Sequence, residues 1–209
     1  MSSIRPAAVA GAFYPDDPAV LAAEVRQCLE AAAPPRQGVR APKAIIAPHA
    51  GYMYSGPVAG TAYARIAPLR GLVSRVVLAG PAHRVDVRGA AVPRAGAFDT
   101  PLGRIELDHE VLERLRALPF VESSDQAHAQ EHSLEVHLPF LARAFPGVPI
   151  VPVLMGSQAP AASTTCSAVT VTSGMRSSRS RKRPGGRGPV AEKSSAVASH
   201  CGEGSQLLD

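Results

Sequence analysis

The chain has 209 residues, 45% of them apolar, with 22 Lys and Arg against 17 Asp and Glu for a net charge of +5. That length suits one domain, and the apolar share can build a real core. Neither property is evenly spread: all nine aromatic residues lie before Gly147, and residues 1–156 carry 15 basic and 14 acidic side chains where residues 157–209 carry 7 and 3. A near-neutral body with a short basic end gives no electrostatic footprint for nucleic acid on the folded part, and nucleic acid is discounted as the main partner. Cys28, Cys166 and Cys201 are too scattered for a disulfide framework, and no run approaches the ~18 apolar residues of a membrane span. A cytoplasmic protein is expected.

In chain order, the first predicted helix starts at Asp16-Asp17-Pro18 and runs through AVLAAEVRQCLEAAA, with Leu21, Val25, Cys28, Leu29 and Ala32 on one stripe. KAIIAPHAGY, residues 43–52, reads as a buried parallel strand and its exit loop, which places His49 just past the strand end. A helix is predicted from about Pro57 to Ala67, then a second strand, RVVLAG, broken by Pro81 with His83 two residues on. Gly89 to Val92 is a weaker strand, and Asp108 caps a helix whose Val111, Leu112 and Leu115 face inward. A further helix is expected from about Gln130, with Pro139 marking a distorted or later start, and VPIVPVLMG closes the pattern as a strand ending at Gly156. Strands alternating with helices predict an α/β fold, a mainly parallel sheet flanked by helices on both faces.

From Ser157 the composition changes to Ser, Thr, Ala, Gly and Arg without sustained periodicity, so residues 157–209 are expected to be disordered. The run RSSRSRKRPGGR within it has the composition of an RNA-binding patch but no interleaved aromatic residue, and we read it as a solvated basic tail.

Six of the seven histidines lie before residue 157. In open α/β sheets ligands sit beyond the carboxyl ends of the strands, where His49 and His83 fall. Imidazole suits iron, zinc and copper, so two strand-end histidines are candidate metal ligands. Within EHSLEVH, His132 and Glu135 are three apart and would share one helical face, able to share a metal or a proton. The same spacing also suits a surface pair, with His137 a core histidine. His109 opens an amphipathic helix and is expected to be solvated. No Gly-rich dinucleotide fingerprint, P-loop, nucleophile elbow or H-E-x-x-H is present.

IRPAAVAGAFYP, APHAGYMYSG, LAGPAHR, DTPLG, EHSLEVHLPFL and IVPVLMG resemble, in order and spacing, motifs of the Memo family. The resemblance ends at about residue 156. It implies a fold similar to the class III extradiol dioxygenases, which use non-haem iron(II), and in bacteria and archaea a functional link to a radical-SAM protein (the AmmeMemoRadiSam set). It further implies that His49 and His83 ligate the metal, iron(II) with zinc or copper as substitutes, and that His132 contacts substrate or shuttles a proton. Glu131 or Glu135 would then orient a histidine from behind. The ligand would be a small molecule or a peptide, and the rival reading is a non-catalytic module capturing a peptide or small anion in the same cleft. The family's later strand, histidine and cysteine have no counterpart after Gly156. This portion therefore reads as a truncated domain with a tail translated in a shifted frame, and impaired activity and weak metal binding are expected of it.

Overall fold

The computed structural model describes residues 3–34, 38–156 and 166–172. Strand β1 (Ile4–Arg5) is followed by α1 (Pro18–Glu30), which starts where the Asp17 carboxylate accepts the N–H groups of Ala19 and Val20 at 2.8 and 2.9 Å. As the stripe predicts, α1 buries Leu21, Val25 and Cys28. Next come β2 (Ala44–Pro48) and α2 (Tyr52–Ile66). Helix α2 begins at Tyr52 rather than Pro57, taking Gly56 and Pro57 into its body, because the loop after His49 turns directly into it. It packs closely on α1: a Cβ on Gly60 would lie 2.3 Å from the Cys28 carbonyl oxygen, so only glycine allows this approach.

Then follow β3 (Arg75–Pro81), β4 (Ala90–Val92), the hairpin of β5 (Ala97–Thr100) and β6 (Gly103–Glu106), and α3 (His109–Arg116), capped by Asp108 as expected. His109 is exposed. Short β7 (Val121–Ser123) and α4 (Asp125–Ala129) lead to a loop, a single 3-10 turn at Glu135–His137 and α5 (Leu138–Ala144), with Pro139 in its first turn. The helix expected from Gln130 therefore starts later, and residues 131–134 are not helical. The helical-face pairing of His132 with Glu135 does not form. The chain continues through β8 (Ile150–Met155) to β9 (Cys166–Thr172).

One sheet has the order β2-β9-β3-β8-β4-β7 and a second has β1-β5-β6. The α/β class is as the sequence implies, but the main sheet is mixed rather than mainly parallel. β3 with β8 and β4 with β7 are parallel, whereas β9 runs antiparallel to both β2 and β3, and β4 antiparallel to β8. β9 also corrects the expected boundary, since residues 166–172 form a central strand within the segment expected to be disordered. Its sequence, CSAVTVT, supplies the period-two pattern: Ser167, Val169 and Val171 are buried, and Ala168 and Thr172 are exposed. The rest of that segment, including the basic run Arg176–Arg187, His200 and Cys201, lies outside the described residues.

The core is one cluster built around Leu21, Val25, Tyr63, Leu78, Leu138, Phe140, Ile150 and Leu154. At the β2-β9-β3 end, Ile45, Ala47, Val76, Leu78, Val169 and Val171 face this core. On the opposite face Ala44, Ile46, Ala168 and Thr172 are exposed, so among the described residues helices cover only one face there. No described helix is long and apolar enough to cross a membrane.

Candidate metal centre

β2 and β3 both run antiparallel to β9, and so parallel to each other, which brings their carboxyl ends to one edge of the sheet. His49 follows the end of β2, His83 lies two residues beyond β3, and His132 comes in from the loop before the 3-10 turn. The ring centroids are 5.3 Å apart for His49 and His83, 5.6 Å for His49 and His132, and 4.7 Å for the stacked His83 and His132. One nitrogen from each ring lies within 4.8 Å of the others.

Glu131 is the residue that organises this group. It is 2% exposed, and its carboxylate accepts the His83 N–H at 2.5 Å and lies 2.9 Å from His83 Nδ1. It also accepts the N–H groups of His132 and Ser133 at 2.9 and 3.0 Å. Burial alone would raise its pKa, but the hydrogen bonds from His83 and Ser133 outweigh burial and hold it down to about 2. A carboxylate at neutral pH can only accept, so His83 Nδ1 carries the proton, and ligation by His83 would be through Nε2. On His49 the same role falls to Ser167, whose Oγ lies 3.0 Å from Nδ1. His132 Nδ1 is 3.3 Å from Glu131 Oε1, out of line for a hydrogen bond. Its pKa is lowered, first by burial and then by the neighbouring charges of His83 and Arg84, against the opposing pull of Glu131. His132 is therefore neutral at physiological pH, as a ligand must be.

Glu135 sits elsewhere. It is 1% exposed and accepts the N–H groups of Ala8 and Val9 at 2.9 Å each and the Tyr14 hydroxyl at 2.6 Å, beside the Arg5 guanidinium at 2.7 Å. Arg5 also donates to the backbone oxygens of His128 and Glu131 and stacks over Phe98. Glu135 thus fastens the N-terminal segment to the back of the site instead of orienting a histidine. His137 is fully buried, and burial lowers its pKa to about 3, as expected for a core histidine.

The three rings open onto a cleft of about 530 Å³, also lined by Phe13, Tyr54 and Arg84. Phe13 packs on His132 at 4.7 Å between ring centroids. Sequence patterns missed Ser167, Arg5 and Arg84. Arg5 lies within IRPAAVAGAFYP and Arg84 ends LAGPAHR, whereas Ser167 lies in none of the motifs.

A family model for Memo-like proteins matches residues 5–180, running past Gly156 where the sequence motifs stop. The chain belongs to the Memo family. A MEMO1 family protein of Methanothermobacter thermautotrophicus is 41% identical over 74% of this chain and 58% of its own length. Relatives from Thermotoga neapolitana and Aquifex aeolicus are 36% and 41% identical over 75% and 67% of this chain, and 60% and 50% of their own lengths. The chain therefore spans little more than half the length of the Memo relatives it matches. Three imidazoles form a donor set that suits iron(II), zinc or copper. A tetrahedral set with ~2.1 Å bonds places its nitrogens about 3.4 Å apart, so the 4.8 Å span needs only modest rotation of the rings. The group can hold a metal ion.

Proposed function

We propose that this cleft is a transition-metal centre in which His49, His83 and His132 hold a divalent ion, iron(II) foremost, and present it to a small ligand. The observation that carries the reading is the convergence of three nitrogens within 4.8 Å, two of them on rings held at Nδ1 by buried partners. Such a partner behind each ligand is the usual way a protein sets imidazole orientation. When bound, the ion would supply Lewis-acid or redox chemistry of the non-haem-iron type at positions the protein leaves open.

The chain's own side chains do the rest. His132 is the ring without a hydrogen bond at Nδ1, so it is the one able to turn between the ion and a proton on the bound ligand. Arg84 at the cleft wall attracts an anionic ligand, and Phe13 and Tyr54 offer flat apolar surface to its body. Arg84 also supports the second reading, capture of a small anion or acidic peptide without turnover.

Anaerobic iron(II) titration tests the proposal. The wild-type chain is expected to bind one equivalent, and a His49→Ala/His83→Ala double variant at least about 100-fold more weakly. Equal and negligible binding by both proteins sinks the metal reading. Metal binding without dioxygen uptake in the presence of chelating ligands favours capture over chemistry.

A further inference from the structure

Strand β9 contributes more to this edge than backbone pairing. Its register places Ser167 opposite Ala47, two residues before His49, and the period-two alternation of the strand turns that side chain to the buried face. Ser167 is fully buried, as is Ser133, and His49 is 3% exposed.

A hydroxyl has one proton to give. The Ser167 Oγ lies 2.9 Å from the Ser133 carbonyl oxygen, which can only accept, so the hydroxyl proton points there. Its contact with His49 Nδ1 at 3.0 Å must then be made by a proton on the imidazole. The opposite tautomer would turn the hydroxyl to Nδ1 and leave a buried carbonyl facing an oxygen lone pair. Ser133 in turn donates its own Oγ to the Pro81 carbonyl at 2.7 Å, and its N–H goes to the same Glu131 oxygen that holds His83. The three loops that carry the histidines are thereby joined through two serines.

We propose that Ser167 is a positioning residue that fixes His49 as the Nδ1–H tautomer, so that Nε2 is the donor nitrogen. Its value to metal binding rests on the reading above, but the tautomer rests on the hydrogen bonds alone. Gly80 supports the assignment. A Cβ there would lie 2.7 Å from Ser167 Oγ, 2.8 Å from Leu134 Cδ2 and 3.1 Å from Ser133 Oγ, so the two hydroxyls come this close to β3 only because residue 80 is glycine. A one-residue slip of β9 would replace Ser167 on the buried face with a neighbour and break the link.

The test is ¹⁵N-edited NMR of the imidazole nitrogens in the full chain, without metal, near pH 7.5. The wild type is expected to show His49 as Nδ1–H. Ser167→Ala is expected to mix the two tautomers and weaken iron(II) binding roughly 10- to 100-fold, with the far-UV spectrum unchanged. Gly80→Ala, which displaces the Ser167 hydroxyl from the other side, should shift the His49 resonances in the same direction. An Nε2–H tautomer in the wild type overturns the proposal whether or not iron binds, as does a Ser167→Ala variant that keeps the Nδ1–H form in full. If the wild type shows the expected tautomer, lost in Ser167→Ala, and yet binds no iron(II), the positioning role stands and the metal reading falls.

Discussion

Glu131 and Glu135 belong to one short motif, are equally buried, and face opposite ways. Glu131 sits behind the cleft histidines and gathers N–H groups from His83, His132 and Ser133. Glu135 looks to the rear, where Arg5, Tyr14 and the backbone of Ala8 and Val9 converge on it. The loop over residues 131–134 makes this division, because a helix would have set the two side chains on one side. A buried carboxylate is thus assigned its task by what surrounds it, and the two sides of the motif should fail in different ways.

The rear side should give the largest effect. Glu135→Ala leaves the buried Arg5 guanidinium without its counter-charge, which is expected to reduce folding stability by about 3–5 kcal/mol. Urea denaturation measures this. A loss below about 1 kcal/mol would show that the N-terminal segment is held by other contacts.

Acid should loosen the same side. His128, whose carbonyl accepts from Arg5, is 2% exposed, and its pKa is lowered to about 4, chiefly by burial. A base whose folded pKa lies below its unfolded value of 6.5 takes up its proton more readily in the unfolded chain. Stability is therefore full above pH 6.5 and falls as the pH drops toward 4, by on the order of 3 kcal/mol from this residue. His137, lowered to about 3 by burial, adds a loss of the same sign. Glu131 on the cleft side keeps its charge down to about pH 2. Denaturation midpoints between pH 7.5 and 4.5 should decline in the wild type and decline less in His128→Gln. An identical decline in the two proteins removes His128 from the explanation.

The cleft side should respond in binding more than in folding. Glu131→Gln keeps the shape but exchanges an acceptor for a donor at the position facing His83 and the two N–H groups. Iron(II) affinity is expected to fall about 10- to 100-fold, with a stability loss of about 1–3 kcal/mol. If Glu131→Gln loses as much stability as Glu135→Ala and binds iron normally, the division between the two sides is wrong.

How much of this was legible follows from which signals are local. His49 and His83 could be read because each ends an apolar strand and follows a proline, and Glu131 and His132 could be read from their motif. The task of Glu135 could not, since its partners Arg5 and Tyr14 are more than 120 positions away. The mixed sheet was hidden for a related reason. β9 is a strand of small and β-branched residues with no aromatic anchor, and its place between β2 and β3 depends on pairings far along the chain. Ser167 carries no motif at all, and only the register of that strand brings it to His49.

The smallest effect belongs to a polar group that stands outside both sides. Tyr63 is fully buried, stacked on Phe140 at 5.0 Å and close to His137, and its hydroxyl has no hydrogen-bond partner among the described residues. Removing a buried polar atom that has no partner relieves a desolvation penalty, whereas removing one that is bonded forfeits the bond and orphans its partner. Tyr63→Phe should therefore change stability by no more than about 0.5 kcal/mol, with a slight gain the favoured sign. A loss above about 1 kcal/mol would mean that the hydroxyl is bonded after all, with an ordered water shared with His137 as the nearest explanation. A double-mutant cycle with His137→Leu decides it: coupling between the two positions reveals the shared partner, and additivity denies it.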